Sequence, residues 1–347
     1  MNRLLSGALA VVVSCAVGTL VAQTSVAPSS GPTLPETELI KQQQARSVAQ
    51  PGNNQPVWSA VKGGVAGYTS IPGNEVGVLI QPTVPGTRAT AGQQWREIKN
   101  NRIATIGGWA LVGLLAVIGA FYAWKGTIKL KEAPTGRLIE RFTPFERIAH
   151  WSTAISFSIL AISGLILAFG KYILLPIVGY SIFATLAQIC KPIHNLVGPV
   201  FIVSCVVTFF TFVRDNWPKA VDFSWIASFG GLLSGKHIPS ERFNAGEKVW
   251  FWGGLMVLGI VVGASGLILN FPNFGQTRAT MQLANLVHFA GSLLFIAGAL
   301  GHIYMGTLGM AGAFDAMKTG YVDDAWAKEH HEIWYNDVVK GKVKRVR

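Results

Sequence analysis

The residue types that could do chemistry in this chain are four histidines. His150, His194, His288 and His302 each stand in a long run free of Lys, Arg, Asp and Glu. Ionisable side chains in apolar runs of membrane length are rare and functional by default. Neutral imidazole is also the commonest protein ligand for transition metals. If one helix carries both His288 and His302, the second lies about 21 Å further along and about 40° round, so both point to nearly one face. The loop charges described below put His150 and His302 near one membrane face and His194 and His288 near the other. Two imidazoles at each level suit the two axial positions of a haem iron. These residues therefore point to two bis-histidine haems stacked across a bilayer, with Gly164, Gly198, Gly291 and Gly298 letting a macrocycle approach the backbone. Two other readings of the histidines stay open: a proton relay, and structural residues in a haem-free membrane anchor. A proton-coupled transporter would carry Asp, Glu, Lys or Arg in its spans, and these spans have none.

The elements that must hold these side chains are transmembrane helices. Only 13% of the residues are charged, against about 25% in a soluble domain, and several uncharged runs exceed 18 residues, the length expected of a helical span. Residues 1–22 read as a secretory signal, with Arg3 before an apolar stretch. Residues 23–100 are rich in Pro, Gly, Ser, Thr and Gln and read as an irregular periplasmic arm, with a candidate strand at 76–81. Five spans follow: an extra N-terminal helix at 103–124, then a four-helix domain within 137–314, its helices near 148–169, 193–213, 249–271 and 283–308. Residues 172–189, uncharged but holding Pro176 and Gly179, read as a loop or interfacial helix. Residues 315–347 form a polar tail in which His330 and His331, like His237 before the fourth span, read as solvated. Cys15, Cys190 and Cys205 form no C-x-x-C pattern, which argues against c-type haem, iron–sulfur and structural zinc sites.

The net charge of +12 has a membrane explanation and does not call for nucleic acid. Lys125, Lys129, Lys131, Arg137, Arg141 and Arg147 precede the second span, and Arg214, Lys219, Lys236, Arg242 and Lys248 precede the fourth. The alternate loops hold only Lys171 and Lys191, and then Arg278, while the tail ends Lys340, Lys342, Lys344, Arg345, Arg347. The positive-inside rule then sets the basic loops and the C-terminus in the cytoplasm and the arm outside, in a multi-pass protein of the bacterial inner membrane.

The chain also repeats itself. Arg141-Phe142, Glu146-Arg147 and Trp151 recur as Arg242-Phe243, Glu247-Lys248 and Trp252. Ser163-Gly164-Leu165-Ile166-Leu167 recurs as Ser265-Gly266-Leu267-Ile268-Leu269, and a histidine-bearing helix follows each copy. Two ordered motifs at nearly one separation indicate two related helical hairpins. Phe251 occupies the place of His150. Asn244, Gly246 and Glu247 sit at the inner boundary, where a quinone carbonyl could hydrogen-bond with Glu247 or His302 relaying protons. The same Asn244 and Glu247 also fit an N-terminal helix cap. Arg141, Arg147 and Lys248 could meet haem propionates, although the positive-inside bias alone accounts for them.

At these residues the chain resembles the gamma subunit, a membrane cytochrome b, of respiratory formate dehydrogenase, over about 137–337. The resemblance rests on Arg141-Phe-Thr-Pro-Phe-Glu-Arg-Ile-Ala-His150-Trp151, Pro192-Ile-His194, Arg242-Phe-Asn-Ala-Gly-Glu-Lys248, His288 and His302-Ile-Tyr304-Met305. The tail from Trp326 to Tyr335 adds to it, as do Gly67–Ser70, Gly77–Gln81 and Gln94-Trp95-Arg96 for longer members. The histidine pattern is shared with cytochromes b of hydrogenases and thiosulfate reductases; the Phe-Asn-Ala-Gly-Glu-Lys loop is more specific. The resemblance implies an all-α integral membrane protein with a dihaem four-helix core. It implies two b-type haems, on His194 with His288 and on His150 with His302. It also implies menaquinone or ubiquinone at Asn244, Gly246, Glu247 and His302. Its implied partners are an iron–sulfur beta subunit and a molybdenum or tungsten pterin alpha subunit, which alone would oxidise formate.

Overall fold

A computed structural model of the chain describes residues 41, 91–231 and 238–341. The signal segment, residues 67–81 with the candidate strand, nearly all of the arm before residue 91, His237 and residues 342–347 lie outside the described residues. Among the described residues, five helices are long and apolar enough to cross a membrane. In chain order the long helices and one short one are α1 (Gly92–Lys125), α2 (Pro144–Ile173), α3 (Leu175–Phe212), the short α4 (Ala220–Ala227), α5 (Ala245–Asn270) and α6 (Arg278–Gly309). The tail adds α7 (Ala313–Lys318), α8 (Asp324–His330) and α9 (Glu332–Val339). The fold is thus that of a helical membrane protein.

Two stretches differ from expectation. The end of the arm is helical from Ala91 and runs through a π-helical stretch, Ile98–Ala104, into the first span. Its polar face escapes an apolar-periodicity test, yet Gln93 bonds Glu97 one turn on and Lys99 lies over Trp95. Residues 172–189 are almost wholly helical, so the loop reading fails. Gly179, at φ 76°, is the break in α3; only glycine takes that conformation without strain.

The described chain forms two compact units, one of 91–106 with Ser265–Phe289 and the other of Gly107–Ala264 with 290–341. In the larger unit, α2 and α3 are antiparallel: Thr208 bonds the Ala149 carbonyl near one end and Ser163 meets His194 further along. Helices α5 and α6 also run antiparallel, since Trp250 packs on Gly298 and Val262 on Gly291. Phe157 and Phe201 close on Phe295 at 4.8 and 5.9 Å, joining the two hairpins. Packing of this kind through Ser, Thr and Gly is what brings helices together in lipid, where apolar burial gives no gain. Ser156, Ser163, Ser204 and Thr208 are all buried. Helix α1 is more exposed; Gly107 and Gly108 admit Leu293 and Phe169, but no residue of Thr105–Lys125 is buried.

The apolar core sits where the tail meets the helix ends. Ile139, Phe142, Phe212, Phe251, Trp326 and Trp334 form one cluster. Strand β1 (Leu138–Glu140) pairs antiparallel with β2 (Tyr321–Asp323), Ile139 opposite Val322, and pins the tail to the entry of α2. His331, expected to be solvated, is 1% exposed. It donates Nδ1–H to the Glu241 carbonyl at 2.6 Å and packs between Trp326 and Trp334. Nothing in the polar Lys-Glu-His-His-Glu run signals this burial, because the acceptor that satisfies the ring, the Glu241 carbonyl, lies 90 residues away in sequence.

Burial lowers the His331 pKa to about 3; Arg141 and His330 push the same way, against Glu247 and the Glu241 carbonyl. An unfolded histidine titrates near 6.5. The folded tail is therefore at full strength above about pH 6.5 and loses stability as pH falls toward 3. Protease resistance of the tail should decline between pH 6 and 4, and His331→Asn, which keeps the donor to Glu241, should flatten that slope. An unchanged slope in the variant would assign the acid sensitivity to another group.

Candidate functional site

The duplicated motif builds a reciprocal clasp. Arg141 donates Nη2 to the Arg242 carbonyl at 2.7 Å and to Glu247 Oε1 at 2.9 Å. Arg242 donates Nη2 to the Arg141 carbonyl at 2.6 Å and to both Glu146 oxygens at 2.8 Å. Each arginine thus holds the other copy's carbonyl and glutamate. Both glutamates also close capping boxes, Thr143 with Glu146 at the start of α2 and Asn244 with Glu247 at the start of α5. Phe142 and Phe243 lie 5.7 Å apart beneath.

The other cations expected at haem propionates have protein partners as well. Lys248, 3% exposed, pairs with Asp222 at 2.8 Å and Glu241 at 3.5 Å. Arg147 donates to the carbonyls of Met317, Lys318 and Thr319, at the end of α7 where unpaired carbonyls gather. Of the residues expected at a quinone, Asn244 Oδ1 accepts from Glu247 N at 3.0 Å and Glu247 Oε2 accepts from Asn244 N at 2.8 Å. The capping role assigned to this pair is therefore present. A Cβ on Gly246 would lie 2.8 Å from the Trp225 ring, which is why that position takes no side chain.

The structure brings His150 of α2 and His302 of α6 together, with ring centroids 6.3 Å apart. Two imidazoles binding one metal through nitrogens about 2 Å from it have centroids roughly 6 Å apart. Trp250 stacks on His302 at 5.3 Å, with ring planes 16° apart. His150 Nδ1 is buried without a hydrogen-bond partner, and such an atom needs an explanation. Among the described residues no group of three or more His, Cys, Asp or Glu could hold a bare metal. A donor set of two imidazoles suits an iron whose equatorial ligands come from a porphyrin.

His194 and His288 belong to different units, and each is seated the same way in its own. In the larger unit, His194 Nδ1 lies 2.9 Å from Ser163 Oγ, and a Cβ on Gly164 would come within 3.2 Å of the ring. In the smaller, His288 Nδ1 lies 3.4 Å from Ser265 Oγ, and a Cβ on Gly266 would come within 3.1 Å. The Ser-Gly step of the repeated pentamer is the seat of the histidine. The structure thus changes the meaning of the glycines: Gly164 receives an imidazole, Gly298 receives Trp250 and Gly291 receives Val262, while Gly198 has nothing within 4 Å. Sequence reasoning passed over Ser163, Ser265 and Trp250. The available signal was a Ser-Gly pair preceding a helix-borne histidine twice.

A family model described as prokaryotic cytochrome b561 matches residues 141–320. The chain is 31% identical over 211 residues to the formate dehydrogenase cytochrome b556(fdo) subunit of Escherichia coli K12, covering 60% of this chain and 96% of that one. It is 29% identical over 214 residues to the nitrate-inducible cytochrome b556(Fdn) subunit of the same strain, covering 60% and 95%. It is 27% identical over 220 residues to the formate dehydrogenase cytochrome b556 subunit of Haemophilus influenzae, covering 62% and 89%.

Proposed function

This chain belongs to the prokaryotic cytochrome b561 family, and from that premise we propose that it is the membrane cytochrome b subunit through which a formate dehydrogenase delivers electrons to quinone. The observation that carries the reading is the His150–His302 pair, at the ring separation of two axial ligands. In this reading His150 with His302 would hold one b-type haem, and His194 and His288, each seated in its own unit, would be haem ligands too, each haem supplying a one-electron iron couple. The chain itself has no formate-oxidising role. Its partners are an iron–sulfur subunit and a molybdenum or tungsten pterin subunit on the periplasmic side, where the arm also lies. In this reading the C-terminus is cytoplasmic, which the charge of the basic loops supports.

In the same reading Asn244, Gly246, Glu247 and His302 would hold quinone near the cytoplasmic face. The Asn244 oxygen is committed to the cap, so its amide N–H is the group to offer a quinone carbonyl. Glu247 holds that side chain in place, its backbone N–H donating to Asn244 Oδ1 while its carboxylate accepts from the Asn244 backbone N–H and from Arg141. With electrons entering outside and protons taken up inside, each electron works against about 2.3 kcal/mol per 100 mV of membrane potential.

The test is spectroscopic. Purified protein reduced with dithionite should show a sharp b-type α band, and haem extraction should give two haems per chain; no α band sinks the reading. Asn244→Asp keeps an oxygen for the cap but loses the amide donor. It should slow quinone reduction about tenfold, the loss of roughly 1.4 kcal/mol, with haem content unchanged. Unaltered quinone kinetics would remove Asn244 from the site.

A further inference from the structure

The proton positions at the repeated Ser-Gly step follow from the geometry. Ser163 has one hydroxyl proton and two lone pairs. Its Oγ lies 2.7 Å from the Ile159 carbonyl, and a carbonyl can only accept. The serine proton is committed there. The 2.9 Å contact with His194 Nδ1 is then favourable only if Nδ1 carries the hydrogen and donates to Oγ. A neutral imidazole protonated on Nδ1 has its lone pair on Nε2. The free side chain prefers the opposite tautomer, with the proton on Nε2. Ser163 is buried, which keeps bulk water from competing for the ring.

We propose that Ser163 is a positioning residue that locks His194 in its Nδ1–H tautomer and so presents Nε2 to iron, with Ser265 doing the same for His288. The inference rests on the haem reading above. Ser265 holds the same place in the repeat, and its 3.4 Å contact with His288 Nδ1 is the looser version. Gly164 and Gly266 complete each seat by letting the ring lie against the helix backbone. The lock also tunes the metal: an imidazole donating its second N–H is a stronger electron donor and favours ferric iron. His150 has no such partner on Nδ1, so the two levels differ in kind.

The experiment uses the full chain, purified with its haem, as wild type, Ser163→Ala and Ser163→Thr. Haem per chain, midpoint potentials from the α band and the ferric low-spin EPR signals are read in each. In Ser163→Ala one haem should move to higher potential with an altered EPR signal while the other stays put, and Ser163→Thr should restore both readouts. Unchanged potentials and EPR in Ser163→Ala overturn the proposal. If Ser163→Ala instead loses one haem, retention in Ser163→Thr with wild-type signals supports the hydroxyl, and equal loss overturns it. Wild-type protein without haem overturns the haem reading itself, a result distinct from failure of the lock.

Discussion

Exchange of His302 for alanine is expected to leave one haem per chain in place of two. His302 faces His150 at 6.3 Å and is braced by Trp250, so in the proposed reading its removal would delete one of the two histidines that hold a haem and slacken the site around the other. His194 sits on a separate seat, and the haem assigned to it should keep its α band and potential. Loss of a partner that merely supports a metal ligand reduces affinity or activity by about 10–100-fold. Loss of the ligand itself should therefore lower formate-to-quinone turnover by more than about a hundredfold. His150→Ala should remove the same haem, and the double variant should lose no more than either single one, since the two act as a unit. Two haems per chain in His302→Ala, by extraction and absorbance, would refute the pairing.

The second large effect concerns Arg141. Its side chain is 4% exposed, and burial pushes its pKa below the ordinary guanidinium value against the pull of Glu247. Arg141→Ala strands the Glu247 carboxylate and frees the Arg242 carbonyl. Breaking one partner out of a buried ion pair costs about 3–5 kcal/mol, and with Glu247 31% exposed and still bonded to the Asn244 N–H the lower end of that range applies. The thermal midpoint in detergent should fall by several degrees, with the tail cut by protease first, because Trp326 lies over the guanidinium at 5.1 Å. Lysine should rescue only in part: a single nitrogen, Nη2, makes both contacts, but an ammonium loses the planar guanidinium face that lies on Trp326. The control is Arg137→Ala: Arg137 pairs with Asp324 while 77% exposed, and such pairs are worth at most about 1 kcal/mol. Equal stability of Arg141→Ala and wild type would dismiss the clasp as a stabilising device.

Legibility in the sequence followed how local each signal was. The uncharged runs announced five spans, because lipid demands continuous apolar length whatever the tertiary contacts. Helix ends were less visible: α2 starts at Pro144 and α5 at Ala245, where charged residues of the first turn are paired across the fold. The repeat was visible, but its purpose was not. A Ser-Gly step inside an apolar pentamer looks like filler until the next helix lays a histidine on it. Arg141 and Glu247 read as neighbours of a cofactor or of lipid headgroups, since nothing near either residue names the other as partner. His331 was misread for the same reason: its covering aromatics Trp326 and Trp334 were in plain view, but the Glu241 carbonyl was not.

The clasp sets a timetable for the growing chain. Translation at about 5–20 residues per second separates Arg141 from Arg242, 101 residues later, by roughly 5–20 s. Within that interval α2 and α3 are themselves made, and until it ends Arg141 and Glu146 have not met the second copy that answers them. Two halves supplied as separate genes would stay in that state for as long as they took to meet, so fusion into one polypeptide is itself a safeguard of assembly.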